Sequence, residues 1–468
     1  MTNILQMANR FVWGAPALVL ILGTGIFLSV RTGFAQIGLL PKAFRQFWRR
    51  VCGERGNDSY RALCTALAAT VGTGNIAGVA GAIAIGGPGA IFWMWICAAL
   101  GMVTKFAEAT LAVRYRIQNQ QGEFVGGPMY MIRFGLRKQW SWLAYLYSFL
   151  GVVAALGVGN ATQINAVVTS VNQMLASFGI QQGRHWNLAM GFLFGGIVTA
   201  MFLRGAGKIG AAAEQLVPFA SAMYILLCLG ALVARWQQIP AAVASIIQGA
   251  FCPKAVTGGL IGSFFSALRV GVSRGVFTNE AGMGTASIAH AAAQVQQPAE
   301  QGLMGIMEVF LDTIVICTMT ALVILCSGVS VPYGVDTGAV LTTQAFSAVY
   351  GSWVSAVIAL CLCCFAFATI LGWGLYGARC AQFLFGTSAW RVFAVLQGVV
   401  VVLGAVLETD TVWIISELFN GLMATPNLIV LIALSPELVR LTKEYKSNTG
   451  STAAVGGTYE SFDQCKPL

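Results

Sequence analysis

Eleven long apolar stretches joined by short polar connections constrain this chain more than any other feature. They run at approximately 12–30, 63–84, 88–113, 142–172, 187–203, 209–234, 257–291, 303–327, 352–383, 388–407 and 411–435. A bilayer-spanning helix needs roughly 20 apolar residues. Inside hydrocarbon the chain must satisfy its own backbone groups, so spans of this kind are helices. The expected fold is an all-α polytopic membrane protein with about eleven transmembrane helices. Composition agrees, because only 9% of the 468 residues are charged and a soluble domain carries about 25%. Seven of the Cys (Cys97, Cys228, Cys317, Cys326, Cys361, Cys363 and Cys364) lie within apolar stretches and read as small core hydrophobes. With His185 and His290 the only two histidines, a His-based metal site is not expected.

Lys and Arg in the connections set the orientation. Twenty fall on one side, led by Arg31 to Arg61, Arg114 to Lys138 and the tail, against four on the other (Arg10, Arg184, Arg235 and Lys254). The N-terminus is therefore expected outside and the C-terminus in the cytoplasm. The net charge of +10 is a topology signal, and nucleic acid is not an expected partner. No cleavable signal peptide is expected, because the first stretch runs into Arg31 without a small-residue cleavage pattern. Residues 1–62 read as an extra helix and a basic loop. Residues 63–435 read as a ten-helix core in two halves, 63–234 and 257–435. Residues 436–468 read as a cytoplasmic tail, disordered after Lys446. The connection 328–351 has no Lys or Arg and is long enough for a short re-entrant or capping helix, Val340 to Tyr350.

The second stretch places Gly72, Thr73, Gly74 and Asn75 in a row at its middle. Gly is a poor helix former, and Gly and Asn tolerate non-helical dihedrals. A helix break here frees carbonyls below it and amides above it, groups suited to a cation and a carboxylate respectively. Close packing of small residues is the competing explanation. The seventh stretch, first of the second half, carries a similar run, Val270-Gly271-Val272-Ser273-Arg274-Gly275. Broken helices at corresponding positions of two halves point to a midplane transport site.

Polar groups within spans are functional candidates. Asn160 and Gln163 share one helix face and serve either a ligand or interhelical hydrogen bonding. Thr369 and Trp373, at i and i+4, also share a face, the one a cation oxygen and the other a pocket wall. Lys105 and Glu108 are expected to snorkel or to pair with each other. Arg269, Arg274 and Glu280 flank the second run as a gate network, while Glu308 and Asp312 are coupling candidates, Asp312 also as a partner for Arg274. There is no phosphate-cradling loop and no nucleophile–base constellation, so neither an ATP-driven pump nor an enzyme is expected.

Several motifs carry a family resemblance. Gly86 to Gly101 (GGPGAIFWMWICAALG) looks like the diagnostic segment of the alanine/glycine:cation symporter family. Gly72 to Ala80 (GTGNIAGVA), Lys105 to Glu108 (KFAE), Gly126 to Tyr130 (GGPMY) and Ser273 to Gly284 (SRGVFTNEAGMG) are similar to further family segments, in order. The resemblance implies a LeuT-like 5+5 inverted repeat plus one extra N-terminal helix. It implies sodium-coupled import of small neutral amino acids, alanine and glycine, across a bacterial inner membrane, with no organic cofactor and with the monomer as the working unit in the lipid. By the same resemblance the substrate carboxylate meets Thr73, Gly74 and Asn75, with Gln163, Thr369 and Trp373 around it and Gly271, Ser273 and Gly275 at the second break. Sodium would be held by Ala68, Val71, Ala366 and Thr369. Proton coupling through Glu308 or Asp312 is the alternative within this fold, and a channel or sensor the alternative outside it.

Overall fold

The structure, a computed structural model, describes residues 7, 11–53, 58–251, 264–335, 338–407 and 409–448. The tail beyond 448 and the start of the seventh stretch (252–263) lie outside the described residues. Apart from one small hairpin, β1 Ile117–Gln118 paired antiparallel with β2 Phe124–Val125, the regular structure of the described residues is helical. The first half holds α1 Ala15–Thr32, α2 Leu40–Gly53, α3 Asp58–Thr70, α4 Ala77–Gly86, α5 Gly89–Arg114, α6 Pro128–Gly135, α7 Ser141–Leu156, α8 Thr162–Ser177, α9 Arg184–Leu203, α10 Ala206–Ala234 and α11 Ile239–Phe251. There follow α12 Phe264–Asn279, α13 Thr285–His290, α14 Pro298–Val309, α15 Thr318–Cys326, α16 Ala339–Tyr350, α17 Val354–Phe385, α18 Ala389–Gly404, α19 Thr409–Ala433 and α20 Ser435–Asn448.

Among the described residues, six segments are long and apolar enough to cross a membrane, and eight if two bent helix pairs each count as one span. Helices α1 and α18 are shorter apolar helices at expected stretches. Phe192 and Leu193 on α9 and Val392 on α18 are exposed, as lipid-facing side chains would be. The interior is packed through small residues. Gly372 of α17 meets Ala69 of α3, Gly374 meets Phe202, and Gly377 meets Ala155 and Phe393. A Cβ on any of them would collide, so α17 runs as a close-packed central helix. In the 86–101 motif, Gly89 is pressed against the backbone of Gly249 in α11. Helix α11 was not among the expected elements, because its 13 residues fall well short of a span. The expected capping helix is present as α16, and its Thr342 Oγ1 donates to the Ile76 carbonyl at 3.0 Å, just past the first break.

The second break is not where the sequence predicts it. Helix α12 runs without interruption through Gly271 and Gly275 to Asn279. A Cβ on Gly271 would come within 2.7 Å of Trp93 Cβ, and one on Gly275 within 3.2 Å of Cys97. These two glycines, one helical turn apart, let α12 lie against α5. Small-residue packing accounts for them, and a break does not. The chain breaks later, at Glu280 to Gly284, where Glu280, Gly282 and Gly284 take φ of 56, 96 and 78°.

Candidate functional site

The first break opens where α3 ends. Its axis and that of Thr73–Gly86 differ by 53°. A single 3-10 turn, Thr73–Asn75, spans the gap. The Gly72 amide donates to Asn75 Oδ1 at 2.8 Å, and the amides of Asn75 and Ile76 donate back to the carbonyls of Gly72 and Thr73. Thr73 and Asn75 are fully buried. Thr73 Oγ1 donates to Gln163 Oε1 at 2.9 Å, and Gln163 Nε2 donates to the Val158 carbonyl at 3.0 Å. Gln163 reaches the break because a π-helical stretch, Gly157–Ala161, separates α7 from α8. Such bulges re-aim side chains and recur at functional sites. Asn160 goes elsewhere: its Nδ2 donates to the Gln397 carbonyl of α18 at 2.9 Å, the interhelical alternative.

From α17, Thr369 Oγ1 donates to the Ala68 carbonyl at 3.0 Å. A Cβ at Gly72 would stand 2.6 Å from that hydroxyl, so only glycine lets α17 and the break meet. Ala68, Val71, Ala366 and Thr369 are all buried. One turn on, Trp373 is 1% exposed and its Nε1 donates to Glu280 Oε1 at 2.5 Å. Glu280 Oε2 accepts from Thr285 Oγ1 at 2.6 Å. On the other side, the Trp373 Cβ occupies the space a side chain at Gly159 would need. Trp373 is therefore wedged between the π-helical stretch and the second break.

The two breaks are joined through another π-helical stretch, Phe310–Cys317. Asn75 Nδ2 donates to Asp312 Oδ1 at 2.6 Å. Thr313 Oγ1 donates to Asp312 Oδ2 at 2.8 Å and accepts from Asn279 Nδ2 at 3.2 Å. Asn279 Oδ1 in turn accepts from the Ala281 amide at 3.0 Å.

Several expectations need correction. Lys105 and Glu108 do not snorkel, since both are fully buried. Lys105 Nζ lies 3.3 Å from Glu308 Oε1 and 4.0 Å from Glu108 Oε2. Glu308 is also bound by His290 Nε2 at 2.9 Å, so its carboxylate is shared by two basic groups. Glu280 is held by Trp373 and Thr285, while Arg269 is exposed and both Arg269 and Arg274 lie inside α12, upstream of the true break. Ser273, half-buried, is likewise inside α12, with Gly271 and Gly275 facing α5. The sequence singles out Glu280 here, but not Asn279, Gly282, Gly284, His290 or Asn427. Gly282-Met283-Gly284 repeats the Gly-x-Gly of the first break, and that spacing was the available signal.

Known proteins resemble this chain over nearly its whole length. A family model, that of the sodium:alanine symporter family, matches residues 1–455. The chain is 42% identical over 447 residues to an uncharacterized transporter of Haemophilus influenzae, covering 95% of this chain and 96% of that one. It is also 42% identical over 450 residues to the sodium/alanine symporter AgcS of Methanococcus maripaludis, covering 95% and 97%. Among solved structures, MhsT in complex with L-phenylalanine aligns over 82% of this chain and 97% of its own, with a TM-score of 0.56 at 13% identity, a likeness of fold. With matches running nearly end to end, the chain belongs to the sodium:alanine symporter family.

Proposed function

We propose that this protein imports small neutral amino acids, alanine and glycine first, together with sodium, by alternating access. Its family supports cation-coupled amino-acid symport. The convergence of Thr73, Gln163 and Thr369 on the first break carries the finer proposal. A helix start at the break suits a substrate carboxylate, which would be received by Thr73, Gly74 and Asn75, with Gln163 beside it. The contact between Thr369 Oγ1 and the Ala68 carbonyl brings two hard oxygen donors together, of the type sodium takes. Sodium shared by these oxygens, with the carbonyls of Val71 and Ala366, would tie α3 to α17. Trp373, wedged in place, would limit the side chain to a small one. Binding of both cargoes shifts the equilibrium between outward and inward states only through their differential affinity for the two, and joint occupancy is the coupling.

The accompanying organisation is proposed in the same terms. The halves 63–234 and 257–435 would form a LeuT-like 5+5 repeat behind an extra N-terminal helix. The N-terminus would lie outside and the C-terminus in the cytoplasm, with the chain working as a monomer in a bacterial inner membrane.

Proton coupling through Glu308 or Asp312 is the second possibility, and contact with the first break favours Asp312 as its carrier. Glu308 is occupied by Lys105 and His290, whereas Asp312 contacts Asn75 in the first break. The test is radiolabelled alanine uptake into proteoliposomes under an inward sodium gradient, against an equal potassium gradient. Accumulation above equilibrium with sodium alone is the expected result. Accumulation driven by a pH gradient without sodium, and lost in Asp312→Asn, would replace sodium by protons. No accumulation under either gradient would leave a channel or sensor.

A further inference from the structure

One buried carboxylate has no part in the function proposed above. Glu108 of α5 is fully buried. Its Oε1 accepts three hydrogen bonds, from the amides of Gly282 at 2.9 Å and Gly284 at 3.0 Å and from Asn427 Nδ2 at 2.7 Å. Asn427 Nδ2 also donates to the Gly282 carbonyl at 2.9 Å. The other oxygen, Oε2, faces Lys105 Nζ at 4.0 Å. The amides bared by the second break are thus already taken by an anion, and the anion is part of the chain. A charged acceptor holds such donors about twice as strongly as a neutral one. Helices α12 and α13, on either side of the break, both pack on α5, the helix that carries Glu108.

We infer that Glu108 is a positioning residue, the resident anion of the second break, which fixes the loop Glu280–Gly284 to α5 and withholds its amides from the substrate. The inference deepens the proposed function and rests on it in one respect: the substrate carboxylate is then left to the first break alone. The joint between α12 and α13 moves with α5 as one piece, so loss of the charge slows transport more than it weakens binding.

The test compares Glu108→Gln and Glu108→Asp with the unmodified protein, purified and reconstituted. Glutamine keeps an acceptor oxygen in place and removes the charge. Hydrogen–deuterium exchange is expected to rise about tenfold in the peptide carrying Gly282 and Gly284 of E108Q, with the peptide carrying Gly72 to Asn75 unchanged. Sodium-dependent alanine binding should stay within about threefold while the uptake rate falls about tenfold, a split that a general loss of structure does not produce. E108D keeps the charge on a shorter arm and should recover part of the rate. Unchanged exchange at Gly282 and Gly284, or an E108D protein no better than E108Q, overturns the inference. So does loss of alanine binding in step with uptake, which would put Glu108 in the binding site. The exchange readout does not depend on the cargo. If the unmodified protein fails to accumulate alanine, the transport proposal falls while Glu108 is still judged.

Discussion

The two helix breaks meet the same physical demand in opposite ways. Each opens backbone groups where lipid cannot satisfy them. At the first, Gly72 stays in extended backbone, φ −144°, and the turn is closed by its own Asn75. What reaches it from outside is mostly neutral: the Gln163 amide, the Thr369 hydroxyl and the shared contact of Asn75 with Asp312. At the second, three residues have positive φ, and fixed partners hold the loop. Glu108 takes the Gly282 and Gly284 amides, Asn427 Nδ2 donates to the Gly282 carbonyl, Tyr147 Oη donates to the Met283 carbonyl at 3.1 Å, and Trp373 and Thr285 bind Glu280. A break tied down by charged and aromatic side chains behaves as a joint. A break closed mostly by neutral groups, which a ligand could replace, is the one the proposed function makes the site.

The largest effects should separate these roles. A Cβ at Gly74 already lies 3.0 Å from Thr278 Cγ2, so Gly74→Leu should fill the first break. Alanine uptake should be abolished with the protein still folded and in the membrane. Near-normal uptake would remove the first break from the site. Gly284→Ala should do the reverse. At φ 78° an alanine is strained, at a cost on the order of 1–3 kcal/mol, and its Cβ would come within 2.6 Å of Asn427 Oδ1. The expected result is a lowered melting temperature in detergent, with the alanine affinity of the surviving protein unchanged. A shifted affinity without a loss of stability would make the second break part of the site.

Much of this contrast was legible in the chain, and the parts that were not have physical reasons. The first break declared itself because Gly72, Gly74 and Asn75 interrupt an otherwise helical apolar run. The second was misplaced because Gly271 and Gly275 imitate a break while serving helix contact. Which of the two purposes a glycine serves depends on the neighbouring helix, and α5 is remote in sequence. The same holds for Glu308, Lys105 and His290. From sequence Lys105 reads as a partner of Glu108 at most, Glu308 as a coupling candidate and His290 as a lone ring, and only folding brings the three together. Helix α16 was visible because its connection lacks Lys and Arg, whereas α11 was hidden by being shorter than a span.

A smaller effect sharpens the sodium assignment. Thr369→Val keeps the shape of α17 and removes the hydroxyl that touches the Ala68 carbonyl. Losing one oxygen contact of about 1 kcal/mol should raise the sodium concentration for half-maximal uptake roughly fivefold, with the maximal rate at saturating sodium retained. An unchanged sodium dependence would exclude Thr369 from the cation shell.

The smallest effect concerns two side chains three residues apart in one chain segment. Asn160 and Gln163 look alike in sequence, yet Asn160 Nδ2 binds the Gln397 carbonyl of α18 and Gln163 Oε1 receives Thr73 Oγ1. Interhelical polar contacts within membranes average about 0.6 kcal/mol, because the unfolded chain in lipid finds partners too. Asn160→Ala should therefore lower the melting temperature slightly and leave the alanine concentration for half-maximal uptake where it was. Gln163→Ala, which removes the partner of Thr73 at the first break, should raise that concentration with little change in melting. Equal shifts in affinity for both variants would mean that the site extends along the whole π-helical stretch. The distinction between groups that meet a ligand and groups that fix a helix would then have to be drawn further from the first break.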